Sequence, residues 1–104
     1  MAWHRVCLLN ELDETHGSEF VVAGYVVAVF KRGTEVRAID GMCAHQGGPL
    51  AQGSLDGKCL TCPWHGWQYD IQTGCNLLTG KRMLNVFEVE QRDDSVWIDV
   101  PDET

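Results

Sequence analysis

Two short stretches of this 104-residue chain decide how the rest of it is interpreted. They read Cys43-Ala44-His45-Gln46-Gly47-Gly48-Pro49-Leu50 and Cys62-Pro63-Trp64-His65-Gly66-Trp67-Gln68-Tyr69. The first pairs cysteine with histidine as Cys-x-His, and the second does so as Cys-x-x-His. Thiolate and imidazole are side chains that hold zinc and iron in proteins. The pattern therefore predicts a metal centre built by two loops.

Two metal chemistries use two cysteines and two histidines. One is structural zinc, and the other is a [2Fe–2S] cluster in which histidines replace the cysteines on one iron. Zinc loops usually place roughly two to four residues between the ligands of a pair, whereas one residue separates Cys43 from His45. Side chains two apart on an extended segment leave it on the same side, so this pair can reach two irons. The spacing favours the cluster and leaves zinc open.

These motifs resemble those of the Rieske family, and the chain looks like a soluble Rieske-type ferredoxin. The likeness also covers Gly53-Ser54-Leu55 between the loops, and Tyr69-Asp70 and Thr73-Gly74 after the second loop. It implies an all-β fold: an antiparallel sandwich or barrel-like base made by the termini. A loop-built cluster-binding subdomain, at about residues 41–70, should complete a single domain of residues 1–104.

The resemblance also implies one [2Fe–2S] cluster per chain. Cys43 and Cys62 would hold the inner iron, and His45 and His65 would hold the outer iron near the surface. In this family the cluster is a one-electron carrier, so the chain is not expected to be an enzyme itself.

Some positions depart from the Rieske subunits of respiratory and photosynthetic complexes. Those subunits join an additional cysteine in each loop as a disulfide, and here Gly48 and Trp64 stand in those places. A serine that donates to a cluster sulfur is replaced by Trp67, while Tyr69 is retained as a donor. Fewer donors to sulfur imply a lower reduction potential. The chain therefore resembles the low-potential branch, which serves oxygenases and related reductases.

By that resemblance, electrons would come from a flavin-dependent NAD(P)H reductase and pass to a terminal, aromatic-ring-hydroxylating type of oxygenase. The long catalytic domain of oxygenase large subunits is not expected within these residues. Two alternatives stay open: the small subunit of an NAD(P)H nitrite reductase, and a zinc-stabilised binding module without a redox role.

The composition agrees with a globular protein, since 44% of the residues are hydrophobic and 22% are charged. The formal charge of −7 argues against a nucleic-acid partner and favours a partner with a basic docking surface. The longest apolar run, Phe20 to Phe30, is too short for a membrane span. The N-terminus is not that of a signal peptide. We therefore expect a cytoplasmic monomer.

Strand signals dominate outside the loops. Tyr25 to Lys31 and Glu35 to Ile39 flank a glycine-containing turn, and Val86 to Glu90 and Ser95 to Val100 flank a second turn. Cys59 to Cys62 and Gln68 to Ile71 are shorter candidates. One helical turn is expected at Asn10 to Thr15.

The remaining cysteines and histidines are interpreted as structural or surface residues. Cys7, Cys59 and Cys75 should be buried or half-buried thiols. The sequence Cys59-Leu60-Thr61-Cys62 leaves open a zinc knuckle with Cys43 and one loop histidine, or a redox dithiol. His4 and His16 should lie on the surface. Trp64, Trp67 and Leu50 could form an apolar rim for a redox partner, or pack the loops onto the base.

Overall fold

The computed structural model describes residues 2–44, 47–64 and 66–101, which form almost only antiparallel strands. The strands of this part of the chain are β1 Ala2–Leu8, β2 Ser18–Val22, β3 Tyr25–Arg32, β4 Glu35–Asp40, β5 Ser54–Asp56, β6 Cys59–Thr61, β7 Gln68–Asp70, β8 Val86–Arg92 and β9 Ser95–Val100. Six of them form a base sheet in the order β1-β9-β8-β4-β3-β2. The other three form a small sheet in the order β5-β6-β7. The all-β prediction is confirmed.

Both predicted hairpins are present. β3 and β4 pair up to Arg32 opposite Glu35, and Gly33 in the turn between them has a φ of 60°. β8 and β9 are joined through Asp93, whose φ is 53°. Glycine, asparagine and aspartate tolerate this left-handed conformation, and it suits tight hairpin turns. Turn chemistry in the sequence therefore located both hairpins.

The predicted helical turn at Asn10 to Thr15 is wrong in position and type. The structure has a short 3₁₀ turn at Leu9–Glu11 instead. Beyond it, the Asp13 carboxylate accepts the Thr15 N–H at 2.7 Å, which takes that donor away from a helix. A second 3₁₀ turn lies at Leu50–Gln52. Within the described residues, no helix is long and apolar enough to cross a membrane.

The base sheet buries both of its faces. Its edge strands β1 and β2 curl towards each other and line a shared cleft through His4 and Phe20. Alternate residues of β3 enter two different cores. Val27 and Val29 fill the interior of the curled sheet with β8 and β9, whereas Ala28 and Phe30 face outward. The outward face packs against the small sheet, which fixes the predicted ligand loops on the base.

Candidate metal centre

The first predicted ligand loop follows β4 directly. Gly41 donates its N–H to the carbonyl of Val26 at 2.9 Å, and a Cβ at this position would lie 2.7 Å from the Val26 side chain. Cys43 then donates its N–H to the Gly48 carbonyl, and Gly47 donates its N–H to the Cys43 carbonyl, both at 2.8 Å. These bonds close a tight loop with Cys43 at its base.

The second predicted ligand loop joins β6 to β7. Thr61 and Gln68 are paired at the ends of these strands, and Cys62 donates its N–H to the Trp67 carbonyl at 2.7 Å. Gly66 provides a φ of 74° within the loop. Cys62 therefore occupies the base of its loop, as Cys43 does in the first.

The two loops bring their cysteines together in the core between the sheets. Cys43 is 4% exposed and Cys62 is 2% exposed, and both belong to one apolar cluster with Leu60. The Cys43 thiol is near enough to the Cys62 thiol to raise the pKa of Cys62. Cys43 Sγ also lies 3.1 Å from the hydroxyl of Tyr69, a fully buried residue. Trp64 donates its N–H to Cys62 Sγ at 3.4 Å.

The electrostatics of the site favour neutral side chains. Burial raises the pKa of the Cys62 thiol, the hydrogen bond from the Trp64 N–H lowers it, and the neighbouring Cys43 thiol raises it further. Burial also raises the pKa of Tyr69, and its hydrogen bond with Cys43 adds to this effect. Tyr69 therefore keeps its proton and can donate it in a hydrogen bond to sulfur. Two buried cysteines become thiolates readily when a metal ion compensates their charge.

Gly48 leaves the space beside Cys62 open. A Cβ at this position would lie 2.8 Å from Cys62 Sγ and 3.1 Å from Cγ of Trp64. The site thus combines two converging buried thiols, a donor to each sulfur, and room beside one of them. These features fit a thiolate-held metal group.

The two predicted histidine ligands, His45 and His65, lie outside the described residues. Within residues 2–44, 47–64 and 66–101, no group of three His, Cys, Asp or Glu side chains could hold a metal ion. The structure therefore brings together Cys43 and Cys62 from the predicted set. The assignment of the histidines stays a prediction.

The other cysteines occupy separate places. Cys7 is buried inside the curled base sheet, while Cys59 and Cys75 are half-buried. Strand β6 extends from Cys59 to Thr61, and extended backbone separates Cys59 from Cys62 by about 10 Å. The arrangement is unlike that of a redox dithiol, in which two sulfurs must meet.

The three apolar residues beside the loops have different environments. Leu50 is fully buried and Trp67 packs against the core, so both anchor the loops to the base. Trp64 is 48% exposed. The sequence pattern did not single out the Trp64 N–H as a donor to sulfur, because a backbone amide leaves no side-chain signature.

Two loops that bury paired cysteines on a curled antiparallel base define a small all-β metal–thiolate protein. The particular family follows from comparison: the model of the Rieske [2Fe-2S] domain matches residues 2–88. The chain belongs to this family. The predicted fold and the predicted cofactor, one [2Fe–2S] cluster, are confirmed.

Two relatives of different length match the chain. The chain is 30% identical to ferredoxin CarAc of Metapseudomonas resinovorans, over 92% of each protein. It is 33% identical to the methylxanthine N1-demethylase NdmA of Pseudomonas putida, over 92% of the chain and 31% of the relative. The chain thus spans about a third of that demethylase and nearly the whole ferredoxin.

A solved structure shows the same fold. It is the complex of reduced oxygenase and oxidized ferredoxin in carbazole 1,9a-dioxygenase, with a TM-score of 0.81 and 28% identity. The alignment covers 92% of this chain and 91% of that one. The chain is therefore related to oxygenase ferredoxins in sequence and in fold.

Proposed function

We propose that the chain is a one-electron carrier whose cluster is held by Cys43, His45, Cys62 and His65. The convergence of Cys43 and Cys62, buried at the bases of two adjacent loops, is the observation that carries this proposal. One histidine follows each cysteine within its loop, two residues after Cys43 and three after Cys62. The same four residues suit a Rieske-type centre, with thiolates on one iron and imidazoles on the other.

When bound, a [2Fe–2S] cluster supplies one electron that can be taken up and given away reversibly. The chain's own residues determine how easily this happens. Leu60 and Tyr69, which are fully buried, exclude water from the cysteine side of the site. Tyr69 and the Trp64 N–H donate hydrogen bonds towards the two sulfurs. Such donors favour the state with more negative charge on sulfur, so they raise the reduction potential.

The physiological setting in this proposal is a three-component system. A flavin-dependent NAD(P)H reductase supplies the electron, and a terminal oxygenase of the aromatic-ring-hydroxylating type receives it. The match to ferredoxin CarAc, over 92% of that protein, supports a carrier of the ferredoxin kind. A complex of a related ferredoxin with its oxygenase supports direct transfer to the terminal component. We also propose that residues 1–104 act as one Rieske domain, with the cluster-binding part at about residues 41–70.

Spectra and metal analysis of single-histidine variants test the ligand set. In His45→Ala and His65→Ala, the loss of one ligand should remove iron, the visible bands and the low average g value of mixed cysteine and histidine ligation. His16→Ala is the matched control, because His16 is exposed and its polar contacts within the described part of the chain are with neighbouring Asp13 and Thr15. Full iron content in either loop variant would refute the assignment.

The same samples separate the alternatives. A colourless protein with one zinc per chain would replace the carrier by a zinc-stabilised binding module. A large partner that stays bound through purification would favour the small subunit of a nitrite reductase. A shuttle ferredoxin should instead separate from its partners, because redox encounters bury little surface.

A further inference from the structure

The charges of this chain are divided unevenly between its two parts. Outside residues 41–87 lie 13 of the 15 acidic residues and 5 of the 8 basic ones, which gives that part a formal charge of −8. Residues 41–87 contain Asp56, Asp70, Lys58, Lys81 and Arg82, a formal charge of +1. The part that carries both ligand loops is therefore not acidic, although the whole chain is.

The basic residues of this part differ in whether they have partners. Lys58 Nζ lies 3.8 Å from the Asp70 carboxylate, at the end of β6 opposite to Cys62. Lys81 and Arg82 are exposed, and neither pairs with an acidic side chain among the described residues. Two uncompensated positive charges thus belong to the segment that follows β7.

This segment forms a groove beside the second ligand loop. The groove has a volume of about 610 Å³ and is lined on one side by Trp67 and Gln68, and on the other by Leu78, Lys81 and Met83. Gly66 of the ligand loop also lines it. The groove is thus contiguous with the loop that holds Cys62 and Trp64.

Leu78 is exposed to solvent on a turn that side-chain hydrogen bonds stabilise. The buried Asn76 side chain accepts the N–H groups of Leu78 at 2.9 Å and Thr79 at 3.1 Å. Asn76 also donates its N–H to the Lys81 carbonyl at 2.8 Å. Leu78 is nevertheless 93% exposed, so the turn presents an apolar side chain that it does not use for folding. Leu77, at 49%, Trp64, at 48%, and Met83, at 37%, add to the exposed apolar surface around the loop.

On the other flank of the first loop the surface carries a charge of the opposite sign. Asp40 lines a second groove with Met42 and Gly47. Its carboxylate is half-buried and accepts the Asn85 N–H at 2.7 Å. Met42 is 54% exposed, so this groove has apolar lining too. Among the described residues the two grooves thus differ in charge, since Asp40 lines the groove beside the first loop and Lys81 lines the one beside the second.

We propose that the groove between the second ligand loop and the Asn76–Met83 turn is the docking surface for the electron-transfer partner, and that this partner presents an apolar patch rimmed by acidic residues. Charge complementarity with Lys81 and Arg82 selects an acidic rim, and Leu78 supplies the apolar anchor. The proposal rests on the carrier function proposed above. It reverses the expectation from the net charge of −7, which favours a basic partner surface.

Two small reductants, one anionic and one cationic, test the sign of the charge on the surface around the groove. The oxidised holoprotein is reduced by dithionite, which is anionic, or by reduced methyl viologen, which is cationic, between about 50 and 500 mM salt. We expect the dithionite rate to fall and the viologen rate to rise with salt. The double variant Lys81→Glu, Arg82→Glu should reverse both trends. Arg5→Glu, an exposed position on the base, should leave them unchanged. Wild-type trends that follow the net charge, or an Arg5 variant that behaves like the double variant, would overturn the proposal.

Haem proteins with an acidic or a basic haem edge, such as cytochrome b5 and cytochrome c, test the docking itself. Leu78→Thr should slow electron transfer from the reduced protein to the acidic haem protein about 5-fold, since less apolar surface is buried in the encounter. Val21→Thr is the matched control, because Val21 is 72% exposed on the base. An unchanged rate in the Leu78 variant would overturn the apolar anchor. A preference for the basic haem protein at low salt would overturn the acidic rim.

Two further outcomes are distinguishable. A dimer in sedimentation analysis that Leu78→Thr dissociates would assign the groove to a second copy of the chain instead of a redox partner. Protein that lacks iron and visible bands would refute the carrier function. An intact spectrum with the opposite salt trends would refute the docking surface alone.

Discussion

Replacement of Tyr69 by phenylalanine should lower the reduction potential of the cluster. The Tyr69 hydroxyl lies 3.1 Å from Cys43 Sγ, and the ring is fully buried. Burial and the contact with Cys43 both raise the pKa of Tyr69, so the group remains a donor over the ordinary pH range. Removal of the hydroxyl takes one hydrogen bond from the sulfur and leaves the ring in place.

The size of the effect follows from the energy of such a bond. A hydrogen bond to a charged group contributes about 1.5–3 kcal/mol, and only the part that differs between oxidised and reduced sulfur acts on the potential. If that part is about 1 kcal/mol, the potential of a one-electron couple falls by about 40 mV, since 59 mV corresponds to a factor of ten. The sign is negative because the reduced state, with more charge on sulfur, loses more stabilisation.

A spectroscopic redox titration of both proteins measures this shift. Ser95→Ala is the control, because it also removes one hydroxyl, which accepts a hydrogen bond from Arg5 Nε at 3.0 Å on the base sheet. Iron content should be unchanged in both variants. A potential of Tyr69→Phe that equals or exceeds that of the native protein would refute the role of the hydroxyl as a donor to Cys43.

Three further predictions concern the site and its support. Gly48→Ala should lose iron, as measured by metal analysis, because the new Cβ would lie 2.8 Å from Cys62 Sγ. Gly57→Ala should keep its iron, because its Cβ would contact nothing within 4 Å, although its φ of 61° strains an alanine. Leu60→Ala should lower the free energy of unfolding by about 2–5 kcal/mol in denaturant titrations, since Leu60 is fully buried between the loops. A hydrogen bond from the Gly33 N–H, and then the Lys31 ammonium, lower the pKa of Glu14 below its usual value. Ionised Glu14 therefore stabilises the fold at pH values above the ordinary glutamate pKa, and this stabilisation is lost as the pH falls through the lowered pKa. Glu14→Gln should therefore flatten the acid side of the stability profile.

The sequence predicted the parts of the fold that local chemistry determines. The hairpin at Gly33 could be located because a left-handed turn between apolar strands needs such residues. β1 and β2 were not predicted as strands. β1 mixes His4 and Arg5 with apolar residues, and its pairing partner β9 lies at the other end of the chain. Pairing over that distance is determined by tertiary packing and not by local pattern.

In the candidate site, too, some features could be predicted from the local sequence and others depend on tertiary packing. Cys43 and Cys62 could be named from their spacing with histidine, and the structure places their thiols together. The Trp64 N–H could not be identified as a donor, because it belongs to the backbone. Asn76 could not be identified either, since an asparagine between glycines and threonines resembles any surface turn. Its burial and its bonds to Leu78 appear only in three dimensions.

The net charge of the chain does not determine the charge of the surface that a partner contacts. At physiological ionic strength, charges more than about 8 Å apart in water are largely screened from each other. The molecule extends 37 × 34 × 18 Å, so most base carboxylates are beyond that distance from a partner at the second ligand loop. Such a partner interacts chiefly with Lys81, which lines the groove, and with Arg82, the exposed residue next to it in the chain. The sign of the contact is therefore determined by these two residues and not by the total of −7.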